Sequence, residues 1–131
     1  MSTLIINNKF LHIRKVTDYD VKNNYYSLMS VLPRKMIEIF TILSSIEIEE
    51  KLKDQRIFVI EDVNSNQMIG SASVSFLNNT STLAKVANIE DIIIKHNYES
   101  VELREELTNY LTNVCVNDDN CIKCIIKCII K

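Results

Sequence analysis

The sequence predicts a mixed α/β domain in which helices cover one mixed sheet. The first observation is a change in hydrophobic period: residues 18–53 have helical spacing, residues 57–94 have strand spacing, and residues 101–116 have helical spacing again. The second is the length of 131 residues, which is enough for one domain with a sizeable core. The third is the composition, 47% apolar and 24% charged, which is ordinary for a globular protein.

The first half of the chain predicts one strand followed by two helices. Residues 10–16, FLHIRKV, are short and β-rich and predict the first strand. Asp18 is placed to cap a helix that continues to the only proline, Pro33, which ends it. A second helix is predicted for residues 34–53, and it ends in the charged run EIEEKLKDQR, which is typical of a solvated face.

The middle of the chain predicts a hairpin and a buried strand. Residues 57–62 and 68–77 have strand patterns, and the turn-forming residues NSNQ lie between them. Gly70 lies inside the second of these strands, where glycine marks a bulge or a close approach. Residues 85–94, KVANIEDIII, predict a strand buried on both faces, with Ile92, Ile93 and Ile94 inside the core.

The last part of the chain predicts a helix and a final strand. Apolar side chains share one helical side in residues 101–116, the turn NDDN follows, and residues 121–131 have a strand pattern. The predicted order is therefore β-α-α-β-β-β-α-β. We find no linker or long repeat, so residues 1–131 are expected to form a single domain.

Charge and composition exclude several classes of function. The formal net charge of −2 gives no general attraction to nucleic acid or to an anionic membrane. MSTLIINNKF is not a signal peptide, and no apolar run approaches the ~18 residues that span a bilayer, so we expect a cytoplasmic protein. One glycine in 131 residues leaves little scope for a glycine-rich phosphate loop.

Several segments carry a family resemblance that extends from about residue 10 to residue 128. These segments are IRKVTDYD, IFVIED with MIGSASV, KVANIEDIII and CIKCIIKC, in that order. In order and spacing they resemble the GNAT superfamily of N-acetyltransferases, and within it the glucosamine-6-phosphate N-acetyltransferases. KVANIEDIII is the most specific of them and is similar to a Lys-Val-Gly-His-Ile-Glu-Asp-Val-Val-Val stretch on the family's central strand. The resemblance implies the acyl-CoA N-acyltransferase fold.

The resemblance also implies an activity and a set of site residues. The activity is acetyl transfer from acetyl-CoA to the amine of glucosamine 6-phosphate, a step toward UDP-N-acetylglucosamine. The implied catalytic residues are Glu90 and Asp91, at the amine and sugar-phosphate end of the site. The implied cofactor-binding residues are Ile92, Ile93, Ile94, Glu99, Ser100, Leu103 and Arg104. From the residues alone, Glu90 and Asp91 could equally be a strand-end pair that faces water.

The start of the last helix departs from the family pattern. The family has a glycine-rich loop with an arginine there, whereas this chain has Glu99 at the arginine position and Arg104 at a glycine position. Residues 99–106 contain four glutamates and one arginine, a net charge of −3. A diphosphate there meets repulsion of about 1 kcal/mol for each close charge pair in water. The sequence therefore predicts a phosphate site replaced by a self-capped helix start, with weak or absent binding of acetyl-CoA.

The C-terminal region also departs from the family. Lys127 occupies the position of a strand-end aspartate, and the family continues beyond the position of Lys131 with another helix and a strand pair. By this comparison we expect a C-terminally truncated version of the fold. CIIKCIIK would then form an exposed edge strand, and an exposed edge together with the family's habit predicts a homodimer.

Three hypotheses of function remain open from the sequence. The first is a working N-acetyltransferase with an atypical cofactor loop. The second is a catalytically defective GNAT-fold homodimer that acts as a binding or structural protein. The third is a metal module on Cys121, Cys124 and Cys128, which would share a face only if the segment were helical; core or edge thiols are the alternative. His12 and His96 are isolated and suggest no nucleophile-base pair.

Overall fold

The computed structural model of the chain describes residues 2–54, 56–79, 84–117 and 123–126. Its strands are Ser2–Ile6 (β1), Lys9–Lys15 (β2), Arg56–Asp62 (β3), Gln67–Asn79 (β4), Ala84–Ile94 (β5) and Lys123–Ile126 (β6). Its α-helices are Asp18–Asn23 (α1), Tyr25–Met29 (α2), Arg34–Ile42 (α3), Ser45–Asp54 (α4) and Val101–Asn117 (α5), and a 3₁₀ turn, His96–Tyr98, precedes α5.

The six strands form one sheet in the order β1-β2-β3-β4-β5-β6. The first five pair antiparallel with their neighbours in the chain, and β6 pairs parallel to β5 after the crossover through α5. The predicted mixed α/β class is therefore confirmed. β3, β4, β5 and α5 begin and end within two residues of their predicted bounds.

The strand β1 is absent from the sequence prediction. It forms a hairpin with β2 in which Ile6 pairs with Lys9, and the turn consists of Asn7 and Asn8. Both asparagines have positive φ, 51° and 63°, as a two-residue hairpin turn of type I′ requires. Asparagine tolerates this conformation, so the Asn-Asn pair was the available signal for the hairpin.

The first predicted helix is divided at Asn24, and its cap differs from the prediction. Thr17 is the N-cap, so Asp18 is the first helical residue and the prediction of Asp18 as the cap is wrong. Asn24 leaves helical geometry with φ −118° and ψ 29°, and its side-chain amide donates to Asp20 at 3.1 Å. Asparagine competes with the helix for backbone partners in this way, because its side chain can bond locally.

The second predicted helix is divided at Leu43, whose ψ of 146° is extended. Ser44 then caps the next helix, because its Oγ lies 3.3 Å from the backbone N–H of Glu47, which donates to it. The Glu47 carboxylate accepts in return from the backbone N–H and the hydroxyl of Ser44. This reciprocal arrangement is a capping box, and the spacing Ser-x-x-Glu in the sequence was its signature.

The two faces of the sheet bury different sets of side chains. One face packs on α5 through the buried residues Leu11, Ile13, Phe58, Ile60, Ile69, Val74, Ile89, Leu103, Leu107 and Leu111. The other packs on α1–α4 through Val16, Leu28, Val31, Met36, Phe40, Ile48, Ile57, Val59 and Met68. Successive side chains of β3 alternate between the two sets, so this strand is buried on both faces. The sheet is therefore the middle of three layers, between α5 and the helices α1–α4.

A buried carboxylate fastens α1 to the sheet. Asp20 accepts two hydrogen bonds from Arg14, at 2.6 and 2.7 Å, and the same guanidinium bonds Glu61 on β3. Burial by itself would raise the pKa of Asp20, but the hydrogen bonds from Arg14, the Thr17 N–H and Asn24 outweigh it and lower the pKa to about 2. None of the helices in the described ranges has the length and apolarity needed to cross a bilayer.

Candidate functional site

The strand β5 is interrupted by a bulge at Asp91. Glu90 pairs with Ser73 on β4, whereas Ile93 pairs with Ser71, so β5 has one residue more than β4 across this interval. Asp91 takes a φ of 52°, in the left-handed region that few residues other than glycine and asparagine adopt readily. The bulge turns a carboxylate out of the regular alternation of the strand, and such distortions are frequent beside functional sites.

Polar side chains converge on this bulge. The hydroxyl of Ser73 donates to the carbonyl oxygen of Glu90 at 3.2 Å and lies 3.5 Å from Oδ2 of Asp91. The hydroxyl of Ser75 donates to Oε1 of Glu90 at 3.4 Å. Lys35, from α3, places its Nζ 3.2 Å from Oδ2 of Asp91. The structure therefore brings the two predicted catalytic carboxylates into one cluster, together with a cation and two hydroxyls that the sequence did not indicate.

Beyond the bulge, β5 directs alternate backbone groups away from β4. The N–H of Lys95 donates to the carbonyl of Ile69 on β4 at 2.8 Å, and Ile93 pairs with Ser71. Because successive residues of a strand direct their backbone groups to opposite sides, Ile92 and Ile94 direct theirs away from β4. On that side, the described pairing with β6 extends only as far as Ile89.

The prediction that Ile92, Ile93 and Ile94 are all buried is wrong. Ile94 is buried, but Ile92 and Ile93 are only partly buried. Ile93 directs its backbone groups toward β4, and Ile92 and Ile94 direct theirs to the opposite side of the strand.

Gly70 supports the same region from β4. A Cβ at this position would lie 2.9 Å from the carbonyl oxygen of Ile93 and 3.0 Å from Cδ1 of Ile60. The register between β3 and β4 also shifts next to Gly70. The predicted bulge and close approach at this glycine are therefore both confirmed. The only glycine of the chain is placed where the strand beyond the bulge comes closest to its neighbour.

The start of α5 is occupied by its own side chains. Oγ of Ser100 accepts the N–H of Leu103 at 3.0 Å, which is the bond of a helix N-cap. Arg104 forms a forked pair with Glu99, Nε to Oε1 at 2.6 Å and Nη2 to Oε2 at 2.9 Å. Leu103 itself is buried in the core, so its side chain faces away from any ligand. The four predicted cofactor-binding residues here thus form a closed set of mutual contacts and packing.

A hydrogen bond fixes the position of this helix start on the sheet. The hydroxyl of Tyr98 donates to Oδ2 of Asp62, at the end of β3, over 2.6 Å. This bond lowers the pKa of the Asp62 carboxyl and raises the pKa of the Tyr98 hydroxyl. The ammonium of Lys9 lies 4.0 Å from the centre of the Tyr98 ring, a cation–π contact.

A shallow depression of about 450 Å³ lies along one side of α5, lined by Val101, Arg104, Glu105, Thr108 and Asn109. Its lining residues all belong to α5, so it is separate from the cluster at the bulge. Of the cysteines, Cys115 is buried in the core. Cys121, Cys128 and Lys127 lie outside the described residues, as does the side chain of Cys124, so the structure leaves the metal hypothesis and the aspartate replacement as predictions.

Sequence reasoning missed Lys35 and Ser73. Both belong to elements predicted for other reasons, α3 and β4, and neither is part of a recognisable motif. Their relation to Asp91 arises only when the sheet forms and α3 lies across it. The pattern of serines on β4, Ser71, Ser73 and Ser75, was a weak signal, since three small polar residues alternate along a strand that is otherwise buried.

No protein-family model matches the chain, and no curated protein is similar in sequence. Solved structures are similar in fold. Glucosamine-6-phosphate N-acetyltransferase from Arabidopsis thaliana is 18% identical, with a TM-score of 0.63 over 92% of this chain and 83% of the other. An aminoglycoside acetyltransferase from an uncultured soil metagenomic sample is 10% identical, with a TM-score of 0.71 over 92% and 81%.

A third similar structure is a predicted acetyltransferase from Clostridium acetobutylicum with acetyl-CoA. It is 14% identical, with a TM-score of 0.61 over 90% of this chain and 80% of the other. The acetyltransferases with similar structures are therefore of several kinds. The chain has the GNAT-like, acyl-CoA N-acyltransferase fold, which confirms the predicted fold class.

Proposed function

We propose that this chain is an N-acetyltransferase that acetylates the amine of an amino-sugar phosphate of the glucosamine 6-phosphate class. The observation that carries the proposal is the bulge at Asp91. It presents a carboxylate beside Ser73 at the point where β5 begins to direct backbone groups away from its partner strand, within an N-acyltransferase fold. A carboxylate that accepts the proton of an amine and backbone N–H groups that stabilise the acyl carbonyl are two features that serve transfer of an acyl group to an amine.

The residues of the cluster divide the work of such a reaction. Asp91, with Glu90 beside it, would attract the ammonium of the acceptor and then accept the proton that the amine must lose before it attacks. The amine nitrogen would form the amide bond as the thioester C–S bond breaks, and the thiolate would leave and take a proton from water. The hydroxyl of Ser73 lies beside the Asp91 carboxylate, 3.5 Å from its Oδ2. The N–H of Ile92 would donate to the carbonyl oxygen of the acyl donor, where negative charge develops, and the backbone of Ile94, two residues further along the strand, would contact the arm of the donor. Positioning would supply the rest of the rate enhancement, because an amine held beside the thioester reacts as in a unimolecular step.

The thioester arm of acetyl-CoA fits this chain better than the diphosphate end does. The donor supplies an activated thioester on a long amide-containing arm, and the outward backbone of Ile92 and Ile94 fits such an arm. The diphosphate end does not fit the start of α5, because Ser100 occupies the Leu103 N–H and Glu99 occupies Arg104. The net charge of −3 over residues 99–106 adds repulsion. We therefore propose weak binding of acetyl-CoA.

The same helix start favours a second candidate function. A chain that keeps the fold and has closed its phosphate site would serve as a catalytically defective binding or structural protein. The forked Glu99–Arg104 pair is the specific observation behind this candidate, since it removes the one cation between residues 99 and 106 from reach of a phosphate.

The two candidates are separated by an acetylation assay with two donors. Glucosamine 6-phosphate is incubated with acetyl-CoA or with S-acetylpantetheine, which has the thioester arm but no diphosphate, and the acetylated product is measured by mass spectrometry. We expect product with both donors. We also expect the rate with acetyl-CoA to exceed the rate with S-acetylpantetheine by less than it would in an enzyme that binds the diphosphate. Absence of product above the uncatalysed rate with either donor contradicts the transferase and supports the second candidate.

We also propose that the chain forms a homodimer. β6 ends the sheet among the described residues, and α3 and α4 expose the large apolar side chains Ile42 and Ile46. A sheet edge and an apolar surface are both stabilised by a second copy. Light scattering at tens of micromolar should give twice the 15.2 kDa of one chain, and a monomer mass would exclude the dimer.

A further inference from the structure

An ion pair joins two elements that otherwise belong to different layers. Nζ of Lys35 on α3 lies 3.2 Å from Oδ2 of Asp91, at the bulge of β5. The Lys35 side chain is 61% exposed, whereas the Asp91 side chain is only 16% exposed. The cation is therefore largely solvated, and the carboxylate is partly desolvated. Such a pair can exchange its cation more easily than its anion.

We propose that Lys35 is the binding residue for an anionic group on the acceptor, and that the acceptor is an amine carrying such a group. The ammonium of the acceptor replaces Lys35 at Asp91, and the released Lys35 pairs with the anion of the same molecule. This inference rests on the proposed function to the extent that Asp91 receives the amine. It adds the residue that selects among amines.

Charge balance gives the selectivity. Before binding, Lys35 pairs with Asp91, and the neighbouring carboxylate of Glu90 accepts from the hydroxyl of Ser75. An amine with an anionic group brings one charge of each sign, so Lys35 and Asp91 both have partners again after the exchange. A neutral sugar bearing only an ammonium would leave Lys35 beside a second cation, which is unfavourable at short range.

Two neighbouring side chains leave room for this exchange. The hydroxyl of Ser73 lies 3.5 Å from Oδ2 of Asp91 and does not depend on Lys35. The neighbouring cation, Arg34, is 93% exposed and pairs along the helix with Glu38 at 3.5 Å, so it does not take part in the pair at the bulge. The Lys35 end of the pair is exposed, where water and salt screen the attraction, so displacing Lys35 costs less than breaking a fully buried ion pair.

The test compares three acceptors and four proteins. The acceptors are glucosamine, glucosamine 6-phosphate and 2-amino-2-deoxyglucuronic acid. In the last of these, carbon 6, which carries the phosphate in glucosamine 6-phosphate, is itself a carboxylate. The proteins are the wild type, Lys35→Met, Lys35→Arg and the matched control Arg34→Met, which removes the same charge from the adjacent position. Binding is measured by calorimetry, and acetylation is measured separately.

We expect Lys35→Met to lower affinity for the anionic acceptors about tenfold and to leave affinity for glucosamine unchanged or raised, because Asp91 loses its competitor. Lys35→Arg and Arg34→Met should keep the wild-type preference. The larger effect with phosphate or with carboxylate tells which anion the site accepts. If this preference is seen without acetylation, the inference stands and the transferase is wrong.

Two results would overturn the inference. One is an equal change for all three acceptors in Lys35→Met, which indicates a structural role of Lys35 while the proposed function survives. The other is no binding of any acceptor by the wild type, which overturns the inference and removes the acceptor from the proposed function as well.

Discussion

Two places within one short segment treat their polar groups in opposite ways. At the bulge, Asp91 is held in a left-handed conformation and pairs with a mostly exposed lysine. At the start of α5, Glu99 and Arg104 are joined by a forked pair, and Ser100 caps the helix. The first arrangement is strained and exchangeable, and the second is relaxed and complete. This difference is the reason that we propose ligand binding at the strand rather than at the helix.

The comparison also separates two meanings of an altered family pattern. A helix start in which Ser100 caps the Leu103 N–H and Glu99 pairs with Arg104 offers fewer groups to a phosphate. A bulge that holds a carboxylate in the left-handed region is a distortion of the kind that is frequent beside functional sites. We therefore expect function at the bulge rather than at the helix start.

The largest expected effect comes from Asp91→Asn. Asparagine tolerates the left-handed conformation, so the fold should persist and the unfolding free energy should change by less than about 1 kcal/mol. Acetylation of glucosamine 6-phosphate should fall about 100-fold or more, because the group that accepts the proton is gone. The control is Asp18→Asn, which breaks an exposed pair with Lys22 on α1. An unchanged rate in Asp91→Asn would remove the bulge from the mechanism.

Gly70→Ala tests the strand pair beneath the bulge. The new Cβ meets the backbone oxygen of Ile93 at 2.9 Å, and backbone yields less readily than a side chain. We expect a loss of about 2 kcal/mol in unfolding free energy, measured with urea. In the adjacent turn Asn66 has a φ of 55°, so Asn66→Gly should be almost neutral. If both variants unfold like the wild type, the close approach does not constrain β5.

Tyr98→Phe tests the anchor of the helix start. It removes the hydrogen bond to Asp62, and a bond to a charged acceptor contributes about 1.5 kcal/mol. The folded-state pKa of Asp62 is lowered, so its contribution to stability is present above the ordinary value of 3.8 and is lost as the pH falls. The difference between wild type and variant should therefore be largest near pH 7 and shrink on acidification. A difference that is constant with pH would contradict the assignment.

The smallest expected effect is the response to acetyl-CoA. Millimolar acetyl-CoA should raise the wild-type melting temperature by less than about 1 °C. The variant Glu99→Arg, Ser100→Gly, Arg104→Gly opens the helix start and reverses a charge, so its melting temperature should rise by several degrees. Glu49→Gln changes the net charge by the same amount on α4 and should behave like the wild type. A clear rise in the wild type would contradict the closed helix start.

The sequence predicted the centre of the sheet better than its periphery. β3, β4 and β5 have long apolar runs bounded by turn residues, so burial determines their extent. The predicted helices were too long because Asn24 and Ser44 offer the backbone local partners that periodicity ignores. β1 was missed because it is a short edge strand, where little burial enforces a pattern.

The candidate site was predictable only in part for the same physical reason. Glu90 and Asp91 followed from the resemblance of one strand, whereas the left-handed turn at Asp91 depends on its register with β4. Lys35 reaches Asp91 from a distant part of the chain, and no local pattern encodes such a contact. The sequence showed the charges of Glu99 and Arg104 but not their contact, because partners five residues apart do not follow the usual spacing of helical ion pairs.

The order of strands in the sheet bears on how the chain is made. Each of β2 to β5 pairs with the strand that precedes it in the chain, so every strand leaves the ribosome after its partner already exists. Among the described strands, β6 is the one that pairs parallel to its neighbour, β5. It can pair after α5 has crossed the face of the sheet. Assembly in the direction of synthesis leaves few strand edges unpaired at any time, and unpaired strand edges promote aggregation of nascent chains.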